Sequence, residues 1–329
     1  MYGDERPGRE DVASLLGTRE DPYAQSRLAR ELPLLLHSIS EFEELITELV
    51  RVVQPDRAIE IGGETGSSAR AYLSAGVPEV ITVDVAPTTE LRATAEQYEQ
   101  LTLVTERSPE VLGSLPAATM WVVDGDHNYG VVHAELSAIL DRNASEGIDL
   151  LAVFHDVLWP CARRDQYYAP DALAPEQVRP HTWDLGATVW SDELVPDGFV
   201  GKGAYATALE AGGERNGVLT AIEDVIAGRE DELELAIVPA VFGIGVLFSK
   251  RAPWADEVRA LLRPWDRSGL LLRLESNRLA LFLRVLSLQR ELSDRVQRFE
   301  RHSASLDAEI SRLRSELAAA RAAAVGDER

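Results

Sequence analysis

Between residues 58 and 154, five short runs rich in β-branched and apolar residues alternate with stretches of helical periodicity. The strand candidates are Ala58–Ile61, Val80–Val83, Leu101–Val104, Met120–Val123 and Leu150–Phe154. Between them, Ser67–Ala75, Thr89–Glu99, Pro109–Leu115 and Tyr129–Arg142 are each long enough for a helix or a helical turn. Such alternation demands crossover connections. It therefore predicts an open, parallel, doubly wound α/β sheet with ligands at the carboxyl ends of the strands. Leu235–Val238 and Ile244–Ser249 are spaced closely enough to complete a mostly parallel seven-stranded sheet as an antiparallel pair.

The flanks read differently. Residues 1–25 form a polar leader, and apolar residues recur at helical spacing from Ser26 to Val53. The core domain is expected over 26–250. Residues 160–215 interrupt it with Pro, Gly, Asp and aromatics (Tyr167, Tyr168, Trp183, Trp190, Phe199, Tyr205), as a surface insertion or as a lid over a site. Gly217–Ala227 then reads as a helix. A helical extension follows over 251–329. Within it Leu292, Val296, Phe299, Ser303, Leu306, Ile310, Leu313 and Leu317 succeed one another in steps of four and three. That pattern is an a/d seam, so a coiled coil over about 285–320 and a homo-oligomer are expected.

Charge and composition remove several function classes. The net charge is −22, made up of −25 over the first 250 residues and +3 over the remainder. So acidic a body repels phosphate backbones, which disfavours nucleic acid as partner. The longest near-apolar run, Leu235–Phe248, is interrupted by Pro239 and is too short for a bilayer, and no secretory signal opens the chain. A single cysteine, Cys161, excludes an internal disulfide framework. A cytoplasmic protein acting on a small molecule is the expectation.

The first strand runs into Glu60-Ile61-Gly62-Gly63-Glu64-Thr65-Gly66-Ser67-Ser68. A nicotinamide dinucleotide site requires G-x-G-x-x-G here, and no register fits: from Gly62, the next two glycine positions hold Glu64 and Ser67. The second strand ends at Asp84, 24 residues after Glu60, where a carboxylate can accept from two ribose hydroxyls. The fourth delivers Asp124-Gly125-Asp126-His127-Asn128-Tyr129, and the fifth delivers His155-Asp156. Carboxylates and imidazoles converging at strand ends imply a bound cation or proton transfer.

Glu60, Gly62 and Gly66 resemble motif I of class I S-adenosylmethionine-dependent methyltransferases, E-x-G-x-x-x-G, with Glu64 in place of the common middle glycine. The D-G-x-H-x-Y after strand four and the acidic segment after strand five resemble the branch of macrolide-sugar O-methyltransferases, related to catechol O-methyltransferase. The resemblance implies a Rossmann-like fold and S-adenosyl-L-methionine held by Glu60, Gly62, Gly63, Gly66, Ser67, Asp84, Ser108 and Asp124. It also implies a divalent metal on Asp124, His155 and Asp156, magnesium as usual in that branch, or manganese or another if His155 is a ligand, with His127 as general base. His155 departs from the pattern, which usually has a carboxylate there. Either a softer metal than magnesium is used, or His155 faces away and Asp126 or water takes its place, or no metal is needed. The acceptor would be a hydroxyl on a sugar or polyhydroxylated natural product, against an aromatic wall of Tyr167, Tyr168, Trp183 and Trp190. Two alternatives remain: N-methylation of an amino sugar, and a non-catalytic assembly protein built on a methyltransferase-like domain.

Overall fold

The structure is a computed structural model; it describes residues 37–327, with side chains as far as Arg321. The leader and the helical signal from Ser26 to Leu36 lie outside the described residues. Helix α1 (Glu43–Val53) buries Ile46, Leu49, Val50 and Val53, one stripe at helical spacing. The alternation then unrolls as β1 (Arg57–Ile61), α2 (Ser67–Ser74), β2 (Glu79–Val83), α3 (Thr89–Gln97), β3 (Leu101–Val104), α4 (Ser108–Val111), β4 (Met120–Val123), α5 (Tyr129–Glu146) and β5 (Leu151–Phe154).

After an insertion come α6 (Val218–Ile226), β9 (Leu233–Val238), β10 (Ile244–Ser249), α7 (Ala255–Leu262) and the long α8 (Gly269–Asp327). The seven-stranded sheet has the order β3-β2-β1-β4-β5-β10-β9. Strands β1 to β5 are parallel, and β10 pairs antiparallel with both β5 and β9. Chain order reverses between β1 and β4. That switch point opens a crevice at their carboxyl ends, where doubly wound sheets bind ligands.

Strand alternation sends side chains to two layers. Ala58, Val80, Val122, Val153 and Phe248 pack with α1, α2 and α7, whereas Ile59, Ile81, Trp121, Phe154 and Leu247 pack with α5 and α6. The compact unit reaches Phe282, and Leu283–Arg329 forms a second. The boundary falls later than the expected break at 251 because Val258 and Leu262 of α7, with Trp254 just before it, belong to the core.

The insertion has structure of its own. Strands β6 (Gln166–Tyr167), β7 (His181–Thr182) and β8 (Ala206–Ala208) form a small sheet in the order β6-β8-β7. Beneath it the buried Asp165 accepts from the backbone of Tyr129 and Gly217 at 2.7 Å each and from the Tyr167 hydroxyl at 2.9 Å. No described helix is long and apolar enough to cross a membrane.

Two truncations test the boundary. A chain ending at Arg290 should keep the cooperative thermal transition of the first unit. One ending at Lys250 loses Trp254, Val258 and Leu262, each worth about 1.5–3 kcal/mol, and should lose that transition. Calorimetry reads both.

Candidate active site

Four backbone hydrogen bonds extend the sheet one residue past its strands. The amides of Asp84, Gly62, Asp124 and His155 donate to Val104, Val83, Ile61 and Val123 at 2.8–3.1 Å. Gly62, Asp84, Asp124 and His155 are thus set at the tips of four adjacent strands. Gly62 is required: its φ is +87°, and a Cβ there would lie 2.1 Å from the Asp124 carbonyl oxygen.

The turn after β1 is organised by carboxylates on both sides. The amides of Gly63 and Glu64 donate to Asp84 Oδ2 at 3.0 and 3.2 Å, and that of Ala86 to Oδ1 at 2.9 Å. The amides that a dinucleotide fold would offer a pyrophosphate are therefore taken by the chain's own carboxylate. Asp84 stays half-exposed with lone pairs to spare, beside the exposed Val85. Glu60, by contrast, is wholly buried beneath the turn, where it accepts from Ser68, from Tyr72 at 3.0 Å and from Thr82 at 3.1 Å. Burial raises its carboxyl to about 7 against the lowering effect of those hydroxyls. It shapes the turn from below. Gly66 caps α2 in the left-handed region, and Ser67 bonds Thr65 and Arg70.

Beyond β4 and β5, four side chains meet. His127 Nε2 lies 2.9 Å from Asp156 Oδ2 and 3.4 Å from Asp124 Oδ1. His155 Nδ1 lies 3.2 Å from Asp124 Oδ1 and 3.4 Å from Asp156 Oδ2. His155 does not face away: its Nε2 meets the Val241 carbonyl at 2.9 Å, which leaves Nδ1 aimed at the carboxylates. Asp156 holds a left-handed φ of +57°, the kind of strain found at functional sites. Asp126 accepts the amide of His127 and stands apart from the pair.

Two carboxylates, Asp156 buried and Asp124 partly so, draw positive charge. Burial opposes protonation of His127, but Asp156 and Asp124 outweigh it and raise its pKa to about 10. His155 moves up in the same sense, and both carboxylates are held below their ordinary values by the imidazoles.

The same geometry suits a divalent cation. Asp124, His127 and Asp156 place their donor atoms within 4.8 Å of one another, and His155 adds a fourth. Ligands about 2.1 Å from a metal stand about 3.0 Å apart in an octahedron and about 3.4 Å apart in a tetrahedron, the spacing seen here. Sequence reasoning gave His127 only the role of base; the structure places it equally at the carboxylates.

Ser108, expected at the adenine, donates to Glu135 of α5. Glu135 is fully buried, its second oxygen has no hydrogen-bond partner, and burial raises it to about 8. Sequence reasoning missed it, although an acid in the apolar stripe Val131, Val132, Leu136, Ile139 was a visible signal. Glu275 was missed too. It accepts from the Phe242 amide at 2.9 Å and so steadies the loop that presents the Val241 carbonyl, in which Val241, Phe242 and Gly243 all have positive φ.

The aromatic wall differs from the expected one. Tyr168 lies 5.6 Å from the His127 ring and 6.4 Å from Tyr205, which reaches Phe199 at 5.9 Å. Tyr167 is buried in the insertion's own core. Trp183 lines a separate depression of about 550 Å³ with Asp184, Val200 and Lys202, and Trp190 lines another with Trp159 and Leu272.

No protein-family sequence model matches the chain, and no curated protein matches it. Solved structures do. An SAH-bound methyltransferase from Podospora anserina is 16 % identical over 63 % of this chain and 77 % of its own, with a TM-score of 0.40. The O-methyltransferase TomG from Streptomyces achromogenes, in complex with SAM, is 16 % identical over 76 % and 99 %, at 0.42. An O-methyltransferase from Bacillus cereus in complex with SAH is 12 % identical over 73 % and 96 %, also at 0.42. At such scores the functional reading has to rest on the side chains of the site.

Glu135 yields a pH test. Its raised pKa means that its contribution to stability is full below about pH 4.5 and is lost as pH rises through about 8. Glu135→Gln stays neutral throughout and can still accept from Ser108. It should match the wild type at pH 4.5 and exceed it at pH 9 by on the order of 5 kcal/mol in chemical denaturation. Equal stability at both pH values would contradict the burial argument.

Proposed function

We propose that this protein is an S-adenosylmethionine-dependent O-methyltransferase, metal-assisted, acting on a hydroxyl of a sugar or polyhydroxylated small molecule. The observation that carries this reading is the convergence of Asp124, His127, His155 and Asp156 at the tips of β4 and β5, one strand from the turn organised by Asp84. S-adenosyl-L-methionine supplies an electrophilic methyl group. Asp84 would accept from its ribose hydroxyls, and Gly62, Gly63 and Gly66 let the backbone pass close to it. The amides nearby are occupied by Asp84, so a phosphate-bearing cofactor is a poorer fit.

Asp124, His155 and Asp156 would hold the cation, which lowers the pKa of an acceptor hydroxyl and fixes its orientation. One imidazole nitrogen beside two carboxylates suits manganese, iron, nickel or zinc better than magnesium. His127 is the proton acceptor in this reading. A cation on the carboxylates would offset the field that holds His127 protonated and so let it serve as the base. Tyr168, packed against its ring, and Tyr205 offer an apolar face to the acceptor and keep water from the reacting oxygen. Positioning then contributes much of the remaining acceleration, because a sulfonium needs little activation.

Calorimetry should show binding of S-adenosylmethionine; none at millimolar cofactor would falsify the assignment. His127→Ala should lower kcat by about 10²–10⁴-fold while leaving cofactor affinity and metal content near wild type. Loss of metal content along with activity would instead make His127 a ligand. EDTA should abolish methyl transfer, and manganese or nickel should restore it better than magnesium. Undiminished turnover in EDTA would remove the metal from the mechanism.

A further inference from the structure

The second unit, Leu283–Arg329, is helical as far as Asp327 and leaves one apolar stripe in solvent. Leu292, Phe299, Leu306 and Leu313 fall at d, and Val296, Ile310 and Leu317 at a, all between 44 and 72 % exposed. A helix that functions alone in water is polar all round, and this one is not. From Leu292 to Leu317 the seam runs 26 residues, or about 39 Å, over more than three heptads.

We propose that this helix is one strand of a parallel, in-register, two-stranded coiled coil whose partner is a second copy of this chain. The charges flanking the seam select that arrangement. The g positions carry Arg295, His302, Glu309 and Glu316; the e positions carry Glu300, Asp307, Arg314 and Arg321. In a parallel pair each g residue faces the e residue five positions later on the partner helix. The facing pairs are then Arg295 with Glu300, His302 with Asp307, Glu309 with Arg314 and Glu316 with Arg321. Each is complementary, and each occurs twice by symmetry.

An antiparallel pair with the same a/d seam in layers keeps Arg295 against Glu316 and His302 against Glu309, but sets Glu300 against Asp307 on both sides, which is repulsive, and leaves Arg314 facing Ser293, so it satisfies fewer charges than the parallel pair. Within one helix Glu309 and Glu316 lean on Arg312, so they are already ordered on the face they would present. β-Branched Val296 and Ile310 at a, with leucine at three of the four d positions, favour two strands over three. Ser303, the polar a residue at mid-seam, is half-buried and would meet its own copy only in register, so it helps to fix the alignment.

Sedimentation and light scattering on the full chain should give twice the 36.2 kDa chain mass at micromolar concentration. Leu306→Asp with Leu313→Asp should return the monomer while the thermal transition of the first unit persists. Leu292→Cys chains should be joined by a short bis-maleimide, because the two copies of residue 292 face each other. In the antiparallel pair they would stand about 38 Å apart. Native Cys161 is buried and leaves the background low. Glu300→Arg with Asp307→Arg should weaken self-association at least about tenfold. Mixing that chain with Arg295→Glu, His302→Glu chains should recover a heterodimer. A monomeric wild type, a mass other than twice the chain, a dimer that does not cross-link through residue 292, or charge reversals without effect would each overturn the proposal. None of these readouts depends on methyl transfer.

Discussion

Two carboxylates, Asp124 and Asp156, are held largely out of water at the tips of neighbouring strands, and the rest of the site answers to that fact. Burying one such charge is expensive, and burying two within reach of the same imidazoles is tolerable only if positive charge stands beside them. The chain supplies His127 and His155 at 2.9–3.4 Å. Two protons on the imidazoles and one divalent cation carry the same charge, so the cluster can be closed either way. Only the second leaves an imidazole free to accept a proton.

The scaffold makes that arrangement durable. Asp124 and His155 are pinned through their amides to Ile61 and Val123, so their spacing is the spacing of the sheet. Catalytic geometry set by sheet hydrogen bonds needs less tuning by side-chain packing than geometry set by a loop. The remaining adjustment comes from the loop after β9, whose Val241 carbonyl orients His155 and whose Phe242 amide is held by Glu275. Glu275 is salt-bridged in turn to Arg278, which lies over the Phe242 ring at 5.3 Å. The core unit therefore includes the start of the long helix.

Much of this was legible from residue order, for a physical reason. Parallel strands buried on both faces give apolar runs, and crossover helices separate them, so the five central strands and the turns at their ends stand out. Asp84, Asp124, His127 and Asp156 could be placed because each follows such a run within four residues. What was hidden has no period. Strands of two residues, as in β6 and β7, leave no alternation to read, so the small sheet within the insertion and its Asp165 hub went unseen. The placement of Glu60 was recoverable. It shares strand parity with Ala58, whose face packs on α2, and it therefore points under the turn. Tyr167 and Tyr168 show the same parity effect, one entering the insertion's core and its neighbour turning to His127.

Anomalous diffraction from crystals grown with manganese tests the compensation of the two carboxylates most directly. A single strong peak is expected about 2.1–2.3 Å from Asp124 Oδ1, Asp156 Oδ2 and His155 Nδ1. An empty map, with both imidazoles bonded straight to the carboxylates, would contradict it.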